Sequence, residues 1–211
     1  MKMVRPNVFT VEHPVVKHKV TMLREKGTQP WLVRMLVKEV STMIAYEAIQ
    51  DLSTEAKNID TPDTPIIGTR IKQKIGILPV MRAGDGMLNG VLELLSEAEV
   101  WHIGVEGGHG AHRAYYNKLT TSMNPPTFDY GLVLDPILKT GNSAKYAIQT
   151  LHDLNITKIK FLGIVGTDAA LDMLFGEFPD IKVYLASIEQ VDDRNWIPGW
   201  GDAGDRQFNT I

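Results

Sequence analysis

The chain contains no cysteine. That absence excludes disulfide scaffolds, zinc–thiolate sites, iron–sulfur clusters and cysteine nucleophiles. No apolar run approaches the roughly 20 residues that cross a bilayer, so no membrane partner is expected. No basic surplus exists either: 22 Lys and Arg against 25 Asp and Glu give a net charge of −3, which argues against a general nucleic-acid binder. The first residues carry two early basic groups but no continuous apolar stretch, so they do not resemble a signal peptide. A soluble, cytoplasmic protein is the expectation. The P-loop pattern GxxxxGK[ST], HExxH and GxSxG are all missing. What is present is ordinary for a globular domain: 211 residues, 44% apolar and 22% charged. A single domain over 1–211 is expected, and a chain of this size can bury about 70% of its unfolded surface without a metal or disulfide staple.

Charge is unevenly spread. Residues 1–50 hold eight Lys and Arg against four acids, and residues 168–211 hold nine acids against three bases. Such segregation marks two faces or a subunit contact, or else scattered solvated charges. Residues 31–51 read as a long helix, because Leu32, Met35, Leu36, Val40, Met43, Ile44 and Ala48 recur at helical spacing, with Thr28 and Pro30 suiting its entry. Residues 57–73 hold Pro and Gly breaks and a β-branched run, as expected of an extended arm or hairpin. Apolar runs then alternate with helical stretches. Strands are expected over 75–80, 100–105, 130–135, 159–166 and 181–187. Helices are expected near 86–96, 143–154 and 169–175, and a loop over 117–128. Nearly continuous apolar strands need cover on both faces, so the alternation implies an α/β fold with a parallel sheet.

Ligands of such sheets sit at the carboxyl ends of the strands, and three strand ends carry unusual residues. In YGLVLDPILKTGNS, Asp135 ends a strand, and Thr140, Gly141 and Ser143 lead into a helix. Backbone N–H groups at a helix start, helped by hydroxyls, make a phosphate cradle. Lys139 adds a cation, and Asp135 can accept from ribose hydroxyls. The alternative is a plain turn with an N-cap. In LPVMRAGDGM, Arg82 lies in a turn with Gly84 and Gly86, where a guanidinium can hold phosphate oxygens bidentately. The alternative is a solvated surface turn. In WIPGWGDAGD, Pro198 and three glycines fix an irregular loop with two tryptophans and two carboxylates. It could present backbone donors and acceptors to a planar base, or merely pack the C-terminus. His109 and His112, among glycines, make a poor metal pair.

Together these loops resemble those of the uracil phosphoribosyltransferases, type I phosphoribosyltransferases. The similarity runs from His13 almost to the C-terminus. HPVVKHKVTMLREKGT resembles the N-terminal signature and KEVSTMIAYEAIQDL the long first helix. LPVMRAGDGM resembles the diphosphate-side loop, VLDPILKTGNSA the phosphoribosyl loop and IPGWGDAGDRQFNT the uracil-binding tail. The resemblance implies a five-stranded parallel sheet flanked by helices, with a small hood from about 1–30 and 187–211. It also implies a β-arm at about 57–73 that often joins a dimer contact, hence a homodimer or higher homo-oligomer. The implied reaction joins uracil to 5-phosphoribosyl 1-diphosphate, giving UMP and diphosphate in pyrimidine salvage, with Mg²⁺ bound mainly through the substrate diphosphate rather than by direct protein ligands.

By the same resemblance, the donor is bound by Arg82, by Asp135, Pro136, Ile137, Leu138, Lys139, Thr140, Gly141, Asn142 and Ser143, and by Asp202, which faces the ribosyl donor or its magnesium. Uracil is read by the main chain at Trp196, Gly201, Asp202 and Ala203. No covalent nucleophile is implied, and Asp202 and Arg82 are the transition-state positioning candidates. The chain departs from the family pattern at four places. Lys139 and Asn142 stand where Ala and Gly are common, and Asn142 suits a backbone of positive φ best after glycine. Glu106, Gly107 and Gly108 replace a Tyr-Arg-Asp whose Arg helps bind diphosphate, leaving Arg113 or Lys139 as substitute cations. Asp85 replaces an apolar residue, and Trp196 an aliphatic one. These departures raise an alternative: a catalytically weak nucleotide-binding relative acting as a regulator or partner subunit.

Overall fold

The computed structural model describes residues 1–106, 113–192 and 195–210, with backbone alone at 113, 192 and 195–197. Among the described residues, six strands of the main sheet lie parallel along its path, in the order Val8–Thr10, Lys182–Leu185, Lys158–Leu162, Tyr130–Leu134, Ile75–Met81 and Ile103–Glu106, and the two-residue strand Glu99–Val100 also pairs parallel with Ile75–Met81. Lys2–Arg5 and Arg113–Asn117 add antiparallel edges. The sixth parallel strand, beyond the five implied by the resemblance, is Val8–Thr10. It is three residues long, too short to show alternation in the sequence.

The central strands are buried throughout. Tyr130–Leu134 is buried at every position, and Ile75–Met81 at every position but Met81, which is half-buried. Both faces are therefore covered. Helices Pro14–Arg24, Pro30–Ala48 and Asp85–Leu92 pack one core, around Val16, Leu36, Ile44, Ile77 and Leu132. Helices Asn142–Asp153 and Asp168–Glu177 pack the other, around Leu78, Val133, Ile148, Phe161 and Leu171. The expected arm is an antiparallel hairpin of Thr54–Asp60 and Pro65–Ile71. Among the described residues no helix is long and apolar enough to cross a membrane.

Two expected strands turn out to be broken at the carboxyl end of the sheet, and a third is continued there. The run 159–166 divides into Lys158–Leu162 and Val165–Thr167, and 181–187 into Lys182–Leu185 and Ser187–Asp192, while Tyr130–Leu134, expected over 130–135, is followed by the short strand Ile137–Leu138. Their outer halves form a second, four-stranded sheet, completed by Asn195–Ile197. The hydrogen bonds explain the break. The amides of Ile164 and Val165 both donate to the Pro136 carbonyl at 3.0 Å, and the amides of Ala186 and Ser187 both donate to that of Ile164. Three segments turn together, and apolar patterning does not register the turn because apolar residues such as Ile137, Leu138, Ile164 and Val165 continue across it. The expected 100–105 strand also breaks, at Trp101 and His102, and the 117–128 loop contains a one-turn helix, Lys118–Thr121, capped by Asn117.

Opposite charges from the two chain ends meet. Arg5 pairs with Asp172 at 2.7 Å, and Arg24 with Glu189 at 2.6 Å. The uneven charge noted above thus closes the N-terminal segment onto the C-terminal half, within one chain.

Candidate active site

A cavity of about 800 Å³ opens at the carboxyl ends of the strands, between the turn after Met81, the run after Asp135, the end of helix Pro14–Arg24 and the C-terminal loop. Among the sequence-derived candidates, Ile137, Lys139, Gly201, Asp202 and Ala203 line it directly, and Ala83 brings the Arg82 turn to its wall.

The C-terminal loop is rigid for local reasons. Pro198 fixes one φ. Gly199 and Gly201 take φ of +58° and +80°, a region that costs other residues energy. Trp200, between them, is buried and anchors the loop in the core around helix Pro14–Arg24. Asp202 then caps helix Ala203–Phe208, accepting from the Asp205 amide at 2.8 Å. Arg206 clasps the loop: its guanidinium donates to the Trp200 carbonyl at 2.6 Å, to the Leu23 carbonyl and to the Glu25 carbonyl at 2.7 Å. Trp196 lies just upstream, its backbone paired with Val191.

Arg82 follows the end of strand Ile75–Met81. Its guanidinium donates to the Asp205 carboxylate at 2.7 Å and to the Thr210 hydroxyl at 3.2 Å. The hydrogen bond from Thr210, then the bond and charge of Arg82, hold the Asp205 carboxyl below its ordinary value. Gln207, fully buried, donates to the carbonyls of Ala83 and Ala203. The Arg82 turn and the C-terminal loop are therefore one hydrogen-bonded unit. Asp85, the unusual acid in that turn, starts helix Asp85–Leu92, where a carboxylate suits the positive end of the dipole. Burial raises its carboxyl, an effect opposed by His102 at 3.6 Å.

The run after Asp135 divides by burial. Pro136 and Leu138 are buried, with Leu138 paired to Gly166 in the second sheet. Lys139 and Thr140 are exposed. Gly141 takes φ of +79° and starts helix Asn142–Asp153 with no side-chain cap, so the first-turn amides are open to an anion. Asn142 corrects the sequence reading: it is the first helical residue, and the positive φ falls on Gly141 instead. Asn142 donates to the Thr140 hydroxyl at 3.3 Å. The loop 107–112, including His109 and His112, lies outside the described residues, as does the Arg113 side chain.

Asp135 accepts from the Ile137 amide at 3.2 Å. Burial pushes its carboxyl up to about 7, the Ile137 bond lowers it and the Asp202 charge raises it further. The folded chain thus binds this proton more tightly than the unfolded chain does. Stability is lost as pH rises from about 4 to about 7, and is unaffected above that window. Asp135→Asn is expected to raise the melting temperature of the ligand-free protein at pH 8 and to leave it unchanged at pH 4. Thermal unfolding at the two pH values measures it.

Sequence reasoning missed Arg24, Lys26 and Arg206, which also line the cavity. Only REKGT, with two cations before a glycine, hinted at the first two. Their nearness to the tail depends on tertiary packing.

The family described as Uracil phosphoribosyltransferase matches residues 10–210. The chain belongs to that family. It is 42% identical over 209 residues to a uracil phosphoribosyltransferase of Roseiflexus sp. (strain RS-1), covering 96% of this chain and 98% of the relative. It is 38% identical to that of Listeria welshimeri serovar 6b, covering 97% and 99%. Among solved structures, the AQ2163 protein from Aquifex aeolicus superposes with a TM-score of 0.87 at 25% identity, over 95% of this chain and 97% of that one. An adenine phosphoribosyl transferase from Trypanosoma brucei, solved with AMP, pyrophosphate and ribose-5-phosphate, superposes at 0.53 and 13% identity over 88% and 85%. It shares the fold alone. The fold is that of the type I phosphoribosyltransferases.

Proposed function

We propose that the protein converts uracil and 5-phosphoribosyl 1-diphosphate to UMP and diphosphate, a pentosyl transfer in pyrimidine salvage. The observation that carries this reading is the single cavity wall shared by the phosphoribosyl run and the rigid tail loop. The bond from the anomeric carbon to diphosphate breaks as the bond to the uracil nitrogen forms, and the nitrogen's proton is released. Such a displacement needs alignment and charge stabilisation rather than a nucleophile. The amides from Thr140 to Ser143 hold the 5-phosphate, and Asp135 accepts from the ribose hydroxyls. Arg82 faces the diphosphate, and the main chain at Trp196 and from Gly201 to Ala203 reads the base.

Magnesium fits this site as a companion of the diphosphate. Among the described residues no group of three or more His, Cys, Asp or Glu side chains is placed to hold a metal ion. Asp202 faces the cavity alongside cationic Lys139, a mixed lining that suits an ion arriving already bound to phosphate oxygens. When bound, it neutralises charge on the leaving diphosphate.

Formation of UMP from uracil, donor and Mg²⁺, lost on chelation, tests the proposal. Retained donor binding without any UMP would favour the non-catalytic relative. Lys139, exposed on the cavity wall, supplies part of the positive charge. Lys139→Ala is expected to raise the donor KM about tenfold and leave the uracil KM within twofold; equal donor KM in steady-state kinetics would remove Lys139 from that role.

The arm is proposed as a contact between two copies of the chain. It exposes Ile59, Ile66, Ile67 and Ile71, with Ile67 75% accessible, a cluster that water alone disfavours. Ile67→Glu is expected to shift the protein toward monomer in sedimentation.

A further inference from the structure

Glu189 takes no part in the roles above, yet it is a buried acid bonded to the base loop. Its side chain is 1% exposed. It sits mid-strand in Ser187–Asp192, opposite Thr167 in the second sheet. Oε1 accepts from Arg24 at 2.6 Å, and Oε2 accepts from the Gly199 amide at 2.9 Å. Arg24 also donates to the Ser187 hydroxyl at 3.4 Å. One carboxylate therefore joins three separate segments: the end of the N-terminal helix, the second sheet and the first glycine of the tail loop.

The loop is held from two sides, both resting on the same helix end. Glu189 fixes an amide at Gly199, backed by the Arg24 side chain. Arg206 fixes the next carbonyl, at Trp200, backed by the carbonyls of Leu23 and Glu25. A planar base recognised by backbone donors and acceptors is discriminated only if those groups cannot rotate, and a shift of about 1 Å in such a site can cost roughly a hundredfold. A buried carboxylate with both oxygens bonded is a strong constraint, because releasing either bond leaves a charge or an amide unpaired away from water.

We propose that Glu189, with Arg24 as its counter-charge, is a positioning residue that sets the register of the base-reading loop and so the affinity and selectivity for the pyrimidine. This rests on the uracil reading only in naming the base. Glu189→Gln keeps size but offers one acceptor to two donors, so either Arg24 or Gly199 loses its partner. Adding Arg24→Met removes the competing donor and lets the amide oxygen return to Gly199.

The test combines steady-state kinetics with amide hydrogen exchange at Gly199 in the ligand-free protein. The single Glu189→Gln variant is expected to raise the base KM about tenfold, to leave the donor KM within twofold and to exchange faster at Gly199. The Glu189→Gln, Arg24→Met double variant is expected to restore the base KM to within threefold of wild type. Unchanged base KM and exchange in the single variant would overturn the proposal. So would equal rises in both KM values that the double variant fails to correct, since that is general loosening. Should the wild type turn over another base, the same comparison is made with that base; should it turn over none, the exchange at Gly199 still decides the role of Glu189.

Discussion

Arg82→Ala is expected to lower kcat/KM for the ribosyl donor by about 10²- to 10³-fold, the loss typical of removing one preorganised donor from a developing anion, while the uracil KM changes by less than threefold. Arg82 follows a buried parallel strand, and its turn is fastened to the C-terminal helix through Gln207 and through its own bonds to Asp205 and Thr210. The guanidinium is therefore oriented before any ligand arrives. The Arg82–Asp205 pair is exposed, and such pairs contribute little to stability, so the melting temperature should change little. The kinetic loss then reads directly on the donor. Steady-state kinetics with each substrate varied in turn checks it. A donor KM and kcat both unchanged would move the diphosphate elsewhere, toward the Lys26 and Lys139 side of the cavity.

Gly141→Ala is expected to raise the donor KM by about 10²-fold and to destabilise the protein by about 1–2 kcal/mol. The stability term comes from the backbone: φ at Gly141 is +79°, and a left-handed residue with a Cβ costs about 1–2 kcal/mol. The new Cβ would lie 2.3 Å from the Met173 terminal methyl, which can swing aside, and 3.2 Å from the Ala170 carbonyl, which is held in helix Asp168–Glu177. The chain escapes by shifting the start of helix Asn142–Asp153. That shift moves the amides proposed to hold the 5-phosphate, where a displacement of about 1 Å suffices for the hundredfold loss. Thermal unfolding and donor titration measure the two effects separately. A variant with full donor affinity would show that these amides do not hold the phosphate.

The comparison of Gly141 with Asn142 shows what the sequence could and could not convey. A glycine followed by a helical pattern marks a helix start, and the start of helix Asn142–Asp153 was legible on that basis. Which of two adjacent residues takes the left-handed conformation depends on helix Asp168–Glu177 packing against the turn, a contact distant in sequence. The long helix and the buried strands were legible because their apolar periodicity is local. The second sheet was not: its strands continue those of the main sheet through Asp135, Gly163 and Ala186, and apolar residues run on across the turn. The site shows the same division. Arg82, Lys139 and the tail loop stand in recognisable motifs. Arg206, Gln207 and Glu189 are bonded to segments far away in the chain, where residue type carries no local signature. The cavity wall made by Arg24 and Lys26 depended on opposite charges closing the chain ends together.

The most direct measurement is a competition in one vessel: purified protein, one equivalent each of uracil, cytosine, orotate and hypoxanthine, limiting 5-phosphoribosyl 1-diphosphate and Mg²⁺, with the nucleotides identified by mass. UMP as the sole nucleotide, formed in step with diphosphate, is the predicted result. Another nucleotide as the main product, or no nucleotide while the donor remains bound, would contradict it.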